Sequence, residues 1–260
     1  MTGVSLVLPC YNHAATLARA IAACIPQKGL TEILIVDDHS TDESLEVAYA
    51  LAAKDHRIRV LQTERNLGPG GARNAGVREA RGSHVSFLDT DDELLGCSFL
   101  EDALAMMADD PEMRVVKGEM EFFDPIKGYV LQSFDPRYPS VVLSSSCGMV
   151  MDRSAFLQIG GFSEDPVFRG PHGGEDVAFM EVLIRYLQPI GRIGRPCYRV
   201  WSQAGSHLDK FLANTRLKGG SFEFVRLHPD QLPEGPLAQG INAYLKAAAG
   251  RLSQATTVSY

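Results

Sequence analysis

Short apolar runs alternate with helical stretches through the first third of the chain. Val4-Ser5-Leu6-Val7-Leu8-Pro9 reads as a buried strand that proline ends. Ala14 to Ile25 is alanine-rich and helical in character. Glu32 to Asp37 is a second strand, and a helix follows to about Lys54, capped by Ser40 or Thr41 with Asp42 and Glu43 in its first turn. Ile58 to Gln62 is a third strand, Gly70 to Ala80 a helix entered from a glycine-rich loop, and His84 to Leu88 a fourth strand that delivers Asp89. Strand and helix thus alternate as parallel strands with right-handed crossovers require. Open sheets of this kind bind ligands at the carboxyl ends of their strands, so Pro9–Asn12, Asp37–Ser40 and Asp89–Asp92 are expected to share one crevice.

The pattern is less regular afterwards. Leu100 to Ala108 reads as a helix, and Val115 to Phe123 with Tyr129 to Phe134 as a hairpin around Asp124–Gly128. Ser145 to Met151 is a strand, and Asp152 caps a short helix that stops at Gly160-Gly161. Asp176 to Leu187 is a helix with Pro189 beyond it; Ile190 to Ile193 and Cys197 to Trp201 are two short strands. Lys210 to Phe224 is expected to be helical, His228 to Pro236 a loop, and Leu237 to Leu252 a final alanine-rich helix.

Composition narrows the function classes. The net charge of -7, from 32 acidic and 25 basic side chains, argues against a nucleic-acid binder and against attachment to anionic lipid by charge alone. The five cysteines, Cys10, Cys24, Cys97, Cys147 and Cys197, form no Cys-x-x-Cys pair, which argues against a disulfide framework or a zinc knuckle and fits a cytoplasmic chain. No apolar run reaches the ~18 residues that a membrane span needs, and Met1-Thr2-Gly3 leads into a strand with no leader pattern.

Four constellations carry chemistry. Asp89-Thr90-Asp91-Asp92 places three carboxylates within four residues, tolerable if they hold a hard divalent cation that bridges a diphosphate; a helix cap is the competing reading. In Val36–Asp42 a carboxylate is placed to accept from a base imide or a ribose hydroxyl, although a cap role is open here too. Asn66–Gly76 combines glycines that admit a ligand close to the backbone, a helix N-terminus and the fixed charge of Arg73. Gly173-Gly174-Glu175-Asp176 sets acids at a helix start, where one of them can take a proton from a hydroxyl or simply complement the helix dipole. His207 is a candidate third metal ligand, and Trp201 a stacking platform or a core residue.

Taken in order, these pieces resemble the family 2 inverting glycosyltransferases of the GT-A fold. The matching residues are Pro9-Cys10-Tyr11-Asn12, Val36 to Asp42, Asn66-Leu67-Gly68 with Ala72 to Gly76, Phe87 to Asp92, Gly160-Gly161-Phe162 and Gly174-Glu175-Asp176, and the likeness covers about residues 3 to 205. It implies an α/β fold: a Rossmann-like, open, mostly parallel sheet flanked by helices, with a smaller acceptor-side mixed region. Residues 1–95 would form the nucleotide-sugar half, 96–205 the acceptor-binding and catalytic half of the same domain, and 206–260 a C-terminal helical extension.

The resemblance also implies roles. Pro9, Tyr11, Asn12 and Asp38 would line the base and ribose pocket, with Gly68, Arg73, Asp89, Thr90 and Asp91 along the rest of the nucleotide-sugar. Manganese or magnesium would sit on Asp91, Asp89, Asp92 and, by position, His207. Asp176 would act as the base, with Glu175 as runner-up, in a direct displacement that inverts the anomeric configuration. Tyr198-Arg199-Val200-Trp201 departs from the family, carrying tryptophan where histidine is usual; no Gln-x-x-Arg-Trp motif is present, which favours addition of a single sugar. The implied partners are a nucleotide-diphospho-sugar, most often a uridine one, and a glycan or lipid-linked acceptor, with a homodimer and contact at the inner face of the membrane left open. Two other readings remain: a sugar-phosphate nucleotidyltransferase, and an inactive nucleotide-sugar-binding module.

Overall fold

The computed structural model describes residues 3–169, 173–202, 206–225 and 234–257, without the side chains of His207, Thr256 and Thr257. The first three strands and helices are β1 (Val4–Cys10), α1 (Ala14–Cys24), β2 (Leu30–Asp37), α2 (Ser44–Ala52), β3 (Ile58–Gln62) and α3 (Gly68–Glu79). β4 (His84–Phe87) and the short β5 (Glu93–Leu94) bracket the aspartate run. Then come α4 (Phe99–Asp109), β6 (Val115–Asp124), β7 (Gly128–Leu131), α5 (Tyr138–Ser144), β8 (Met149–Asp152), α6 (Arg153–Ile159) and α7 (Glu175–Tyr186). The chain continues through β9 (Ile190–Trp201), α8 (His207–Ala213), β10 (Thr215–Lys218), β11 (Ser221–Phe224) and α9 (Pro236–Thr257).

One sheet runs β3-β2-β1-β4-β8-β6-β9-β5, with β7 added to β6. β1 is parallel to both β2 and β4, and β2 to β3, as the alternating pattern predicts. β8 then pairs antiparallel with both β4 and β6, so the mixed region continues the sheet begun by β1 to β4. Two adjacent parallel strands, β1 and β4, thus aim their carboxyl ends at the same edge. Helices bury the apolar sheet faces in one core. α3 lies closest: a side chain at Gly76 would start 2.4 Å from Val7 Cγ1, so only glycine permits that approach. α9 packs back on the domain through Tyr244, Leu245 and Ala248, and the Tyr244 hydroxyl donates to Gly161 O.

Several element boundaries differ from the sequence expectation. α2 starts at Ser44 with Glu43 at its N-cap rather than Ser40 or Thr41, because Asp42 Oδ1 takes the Ser44 amide at 3.0 Å. α3 begins two residues earlier than expected, at Gly68, with Pro69 in its first turn where the missing amide costs nothing. The segment expected to be a strand from Ser145 pairs only from Met149, and the helix α5 precedes it. β9 is continuous across both expected strands; Pro196 sits where the register to β6 shifts, a place that tolerates its lost donor. The expected helix over residues 210–224 is instead α8 followed by a hairpin, because Gly219 and Gly220 take φ of 56° and 79° and close a two-residue turn. The loop expected over residues 228–236 lies largely outside the described residues.

Candidate active site

A cleft of about 1120 Å³ opens where β1, β2 and β4 end, and α3, α5, α7 and α8 wall it. Pro9, Tyr11, Asp38, Gly68, Arg73, Asp89, Thr90, Asp91, Asp92, Glu175 and Asp176 all line it. Topology therefore gathers three strand ends and a helix start from distant parts of the chain, as the strand-end rule anticipates. Asn12 is not among the lining residues. Its Oδ1 accepts from the Thr41 amide at 2.7 Å and the Asp42 amide at 3.3 Å, tying the loop after β2 to the loop after β1. His207 begins α8, but its side chain lies outside the described residues.

Asp38 is buried at the end of β2. Its Oδ1 accepts from Thr63 Oγ1 at 2.9 Å and from the Leu67 amide at 2.8 Å, while Oδ2 accepts from the Gly68 amide at 2.8 Å. Two amides at the entry to α3, those of Leu67 and Gly68, are therefore met by a protein carboxylate, which also complements the helix dipole. Tyr11, 45% exposed, stands at the rim with its ring available for a planar ligand.

Arg73 organises the opposite wall. The guanidinium is 2% exposed, donating to Asp89 Oδ1 at 2.6 Å and to Asp176 Oδ1 at 3.0 Å. Burial opposes its charge, but Asp176 and Asp89 outweigh that and hold it firmly cationic. It lies 5.3 Å from the Phe162 ring centre. Phe162 is fixed in turn by Asn74, whose Oδ1 accepts from the Phe162 amide at 2.8 Å and whose Nδ2 donates to its carbonyl at 2.9 Å. Arg73-Asn74 and Gly160-Gly161-Phe162, two separate motifs in the sequence, are thus one contact in space.

The three aspartates after β4 have different surroundings. Asp89 is 40% exposed and paired with Arg73. Asp91 is half-buried, and its carboxyl is pushed up by burial and then by the charge of Asp89. Asp92 turns inward: Oδ2 accepts from the Tyr198 hydroxyl at 2.6 Å and Oδ1 from the Trp201 amide at 2.9 Å. Burial, followed by Asp91 and Asp89, drives its carboxyl well above the ordinary range. Thr90 Oγ1 donates to Pro9 O at 3.3 Å, stitching this run to β1. Among the described residues no three histidine, cysteine or acidic side chains converge on a metal position. Of the three aspartates after β4, Asp91 and Asp89 line the cleft without being turned inward, and both are hard oxygen ligands. Magnesium and manganese fit such a pair, since magnesium commonly takes one or two carboxylates and completes its shell with substrate phosphate and water.

At the start of α7, Asp176 Oδ1 accepts from Arg73 and, at 2.9 Å, from Ser146 Oγ; its Oδ2 accepts from none of the described residues. Glu175 beside it is raised to about 7 by burial and by the charge of Asp176. Sequence reasoning missed Ser146, which sits in a Ser144-Ser145-Ser146 run with nothing to single it out, and gave Tyr198 no role. It also passed over Arg169 and Lys210, which line the cleft without a carboxylate partner among the described residues. Arg169 instead donates to Asn66 O and Leu67 O. Trp201 stacks under Arg19, 4.5 Å from its ring centre, and meets Phe123 edge-on, so its ring serves packing.

The family model for glycosyl transferase family 2 matches residues 5–159. The chain is 46% identical over 90 residues to the succinoglycan biosynthesis protein ExoO of Rhizobium meliloti, which covers 34% of this chain and 25% of that protein. It is 39% identical over 98 residues, 36% of this chain and 31% of the relative, to the GalNAc(5)-diNAcBac-PP-undecaprenol beta-1,3-glucosyltransferase of Campylobacter jejuni. The chain thus spans about a quarter to a third of the length of these relatives. Among solved structures, TarS 1-349 of S. aureus in complex with UDP-GlcNAc superposes with a TM-score of 0.66 at 21% identity, over 94% of this chain and 66% of that one. The curled, mostly parallel sheet and its flanking helices are therefore the GT-A fold. An acid-lined cleft thus lies at the strand ends of that fold, and this chain belongs to glycosyl transferase family 2.

Proposed function

We propose that this chain transfers one sugar from a nucleotide-diphospho-sugar, a uridine one, to an acceptor hydroxyl, with inversion and with a divalent cation. The observation that carries the reading is the double pairing of Arg73, which locks an acid on the donor side, Asp89, to an acid at a helix start, Asp176. The TarS complexes hold UDP and UDP-GlcNAc, which supports a uridine donor here. The names of the relatives point to cell-surface polysaccharide or glycoconjugate synthesis, with a glycan or lipid-linked acceptor.

Tyr11 would stack on the base, and Pro9, Asp38, Gly68 and Thr90 would shape the nucleoside end of the cleft. Manganese or magnesium on Asp91 and Asp89 would neutralise the departing diphosphate. Asp92 supports that pair from behind through Tyr198 and Trp201. Asp176 would take the acceptor proton on Oδ2 while Arg73 and Ser146 hold Oδ1. The acceptor oxygen then forms its bond to the anomeric carbon as the bond to the diphosphate oxygen breaks, and that oxygen leaves with the electron pair. Attack opposite the leaving group inverts the configuration, and a fixed base separated from the leaving-group side supplies that alignment. Residues 1–95 would serve the donor, 96–205 the acceptor, and 206–260 would extend the acceptor side, since Lys210 and Phe211 reach the cleft.

One observation favours Glu175 as the base instead: a carboxyl near 7 is matched to proton transfer at neutral pH. A thermal-shift screen of nucleoside diphosphates and sugar nucleotides, with and without manganese, tests the donor reading. The expected result is a manganese-dependent rise in melting temperature with uridine diphosphate and a uridine diphospho-sugar. No rise with any sugar nucleotide would overturn the donor reading.

A further inference from the structure

We propose that Lys117 is a positioning residue for the Asp176 carboxylate, acting through Ser146; the inference rests on Asp176 being the base. Lys117 lies in β6 opposite Met149, the first residue of β8. The last backbone bond from β6 reaches Gly148, whose carbonyl accepts from the Gly118 amide at 2.9 Å, and the carbonyls of Ser145 and Cys147 have no backbone donor among the described residues. Lys117 supplies the donor instead: Nζ donates to Ser145 O at 2.6 Å and also to Cys147 O. One ammonium therefore fixes both carbonyls that flank Ser146. The Ser146 side chain is fully buried, and its hydroxyl donates to Asp176 Oδ1 at 2.9 Å.

Lys117 is 2% exposed and has no carboxylate partner within salt-bridge distance among the described residues. Burial pulls its ammonium down to about 8, so the fold holds this charge at a cost, while Cys147 and Asp176 work the other way. A lone buried cation beneath a candidate catalytic acid is the kind of expense that function retains. The ammonium fixes one tether of Asp176, and Arg73 is the other.

The test compares Lys117→Met, Ser146→Ala and the double variant in the full chain. The probe is UDP-N-acetylglucosamine with manganese, with release of UDP to water as the readout. Each single variant is expected to lose turnover on the order of 10- to 100-fold with an unchanged KM, since a displaced catalytic group loses rate and not donor binding. The double variant should fall no further than Ser146→Ala alone, because both changes cut the same path. Additive losses, or a normal rate in Ser146→Ala, would overturn the inference, and Ser146→Ala decides alone if Lys117→Met does not fold. A crystal structure of Lys117→Met supplies an arm that needs no activity: Ser146 Oγ is expected to leave hydrogen-bond reach of Asp176, and a retained contact would overturn the idea. If the wild type releases no UDP, the donor reading fails, and the crystal structure still judges the positioning role.

Discussion

Arg73 Nη1 lies 3.0 Å from Asp176 Oδ1, joining residues 103 positions apart across the cleft. The same guanidinium holds Asp89, so one buried cation answers two acids that would otherwise repel. Replacing Arg73 with methionine should leave both acids uncompensated and destabilise the chain by roughly 3 kcal/mol. Turnover of a uridine diphospho-sugar should be abolished. Lysine should not rescue it, because a single ammonium cannot span two carboxylates as a fork does. Melting curves and steady-state rates of both variants check this; a normal rate in Arg73→Lys contradicts it.

Asp91 and Asp92 are neighbours with opposite expectations. Asp91→Ala should abolish manganese-dependent binding of uridine diphosphate, measured by calorimetry, with little change in stability. Asp92→Ala should lower stability by about 1–3 kcal/mol, because the Tyr198 hydroxyl and the Trp201 amide lose their acceptor. Asp92→Asn should be far milder: burial already favours the neutral carboxyl, and an amide keeps an acceptor for Trp201. Equal loss of metal-dependent binding in Asp91→Ala and Asp92→Asn would show that both carboxylates ligate.

Much of this site was legible in the sequence, for a reason visible in its geometry. Pro9, Asp38 and Asp89 come from strand ends that short, regular crossovers bring together, and each strand showed itself as an apolar run. What stayed hidden depends on partners that periodicity does not reveal. Asn12 reads as a ligand contact but serves the loop after β2, and the Gly68 amide of the glycine-rich loop is met by Asp38. Ser146 and Lys117 gain their roles only because β8 starts late and leaves two carbonyls for a side chain to meet. The hairpin of β10 and β11 was misread as helix because its turn rests on two glycines, while the alternation in each strand spans only four residues.

Asp38 is expected to act on fold and site together. Asp38→Ala removes the acceptor of the Thr63 hydroxyl and of two amides at the start of α3. A loss of about 2 kcal/mol follows from leaving such groups unpaired, together with the loss of the helix cap. Because α3 carries Arg73, donor affinity should fall as well. Chemical denaturation and calorimetry on the same preparation check both; intact stability would show that water replaces the carboxylate.

The two acids at the start of α7 are separated by paired variants and by pH. Asp176→Asn should lose transfer while keeping donor affinity, and Glu175→Gln should keep most of its turnover; the reverse result would give the base role to Glu175. Stability gives a second handle on Glu175. Its folded carboxyl titrates at about 7, against an ordinary value of 4.5, because burial and the charge of Asp176 disfavour ionisation. Between those values the folded chain holds a proton that the unfolded chain has released. The Glu175 contribution is therefore full below pH 4.5 and is lost as pH rises through 7. Against the wild type, Glu175→Gln should gain on the order of 1–2 kcal/mol at pH 8 relative to pH 4.5, with partial exposure reducing the figure. Denaturation at the two pH values measures the difference. A difference near zero would mean that Glu175 ionises freely in the folded chain, which removes the case for it as the base and leaves Asp176.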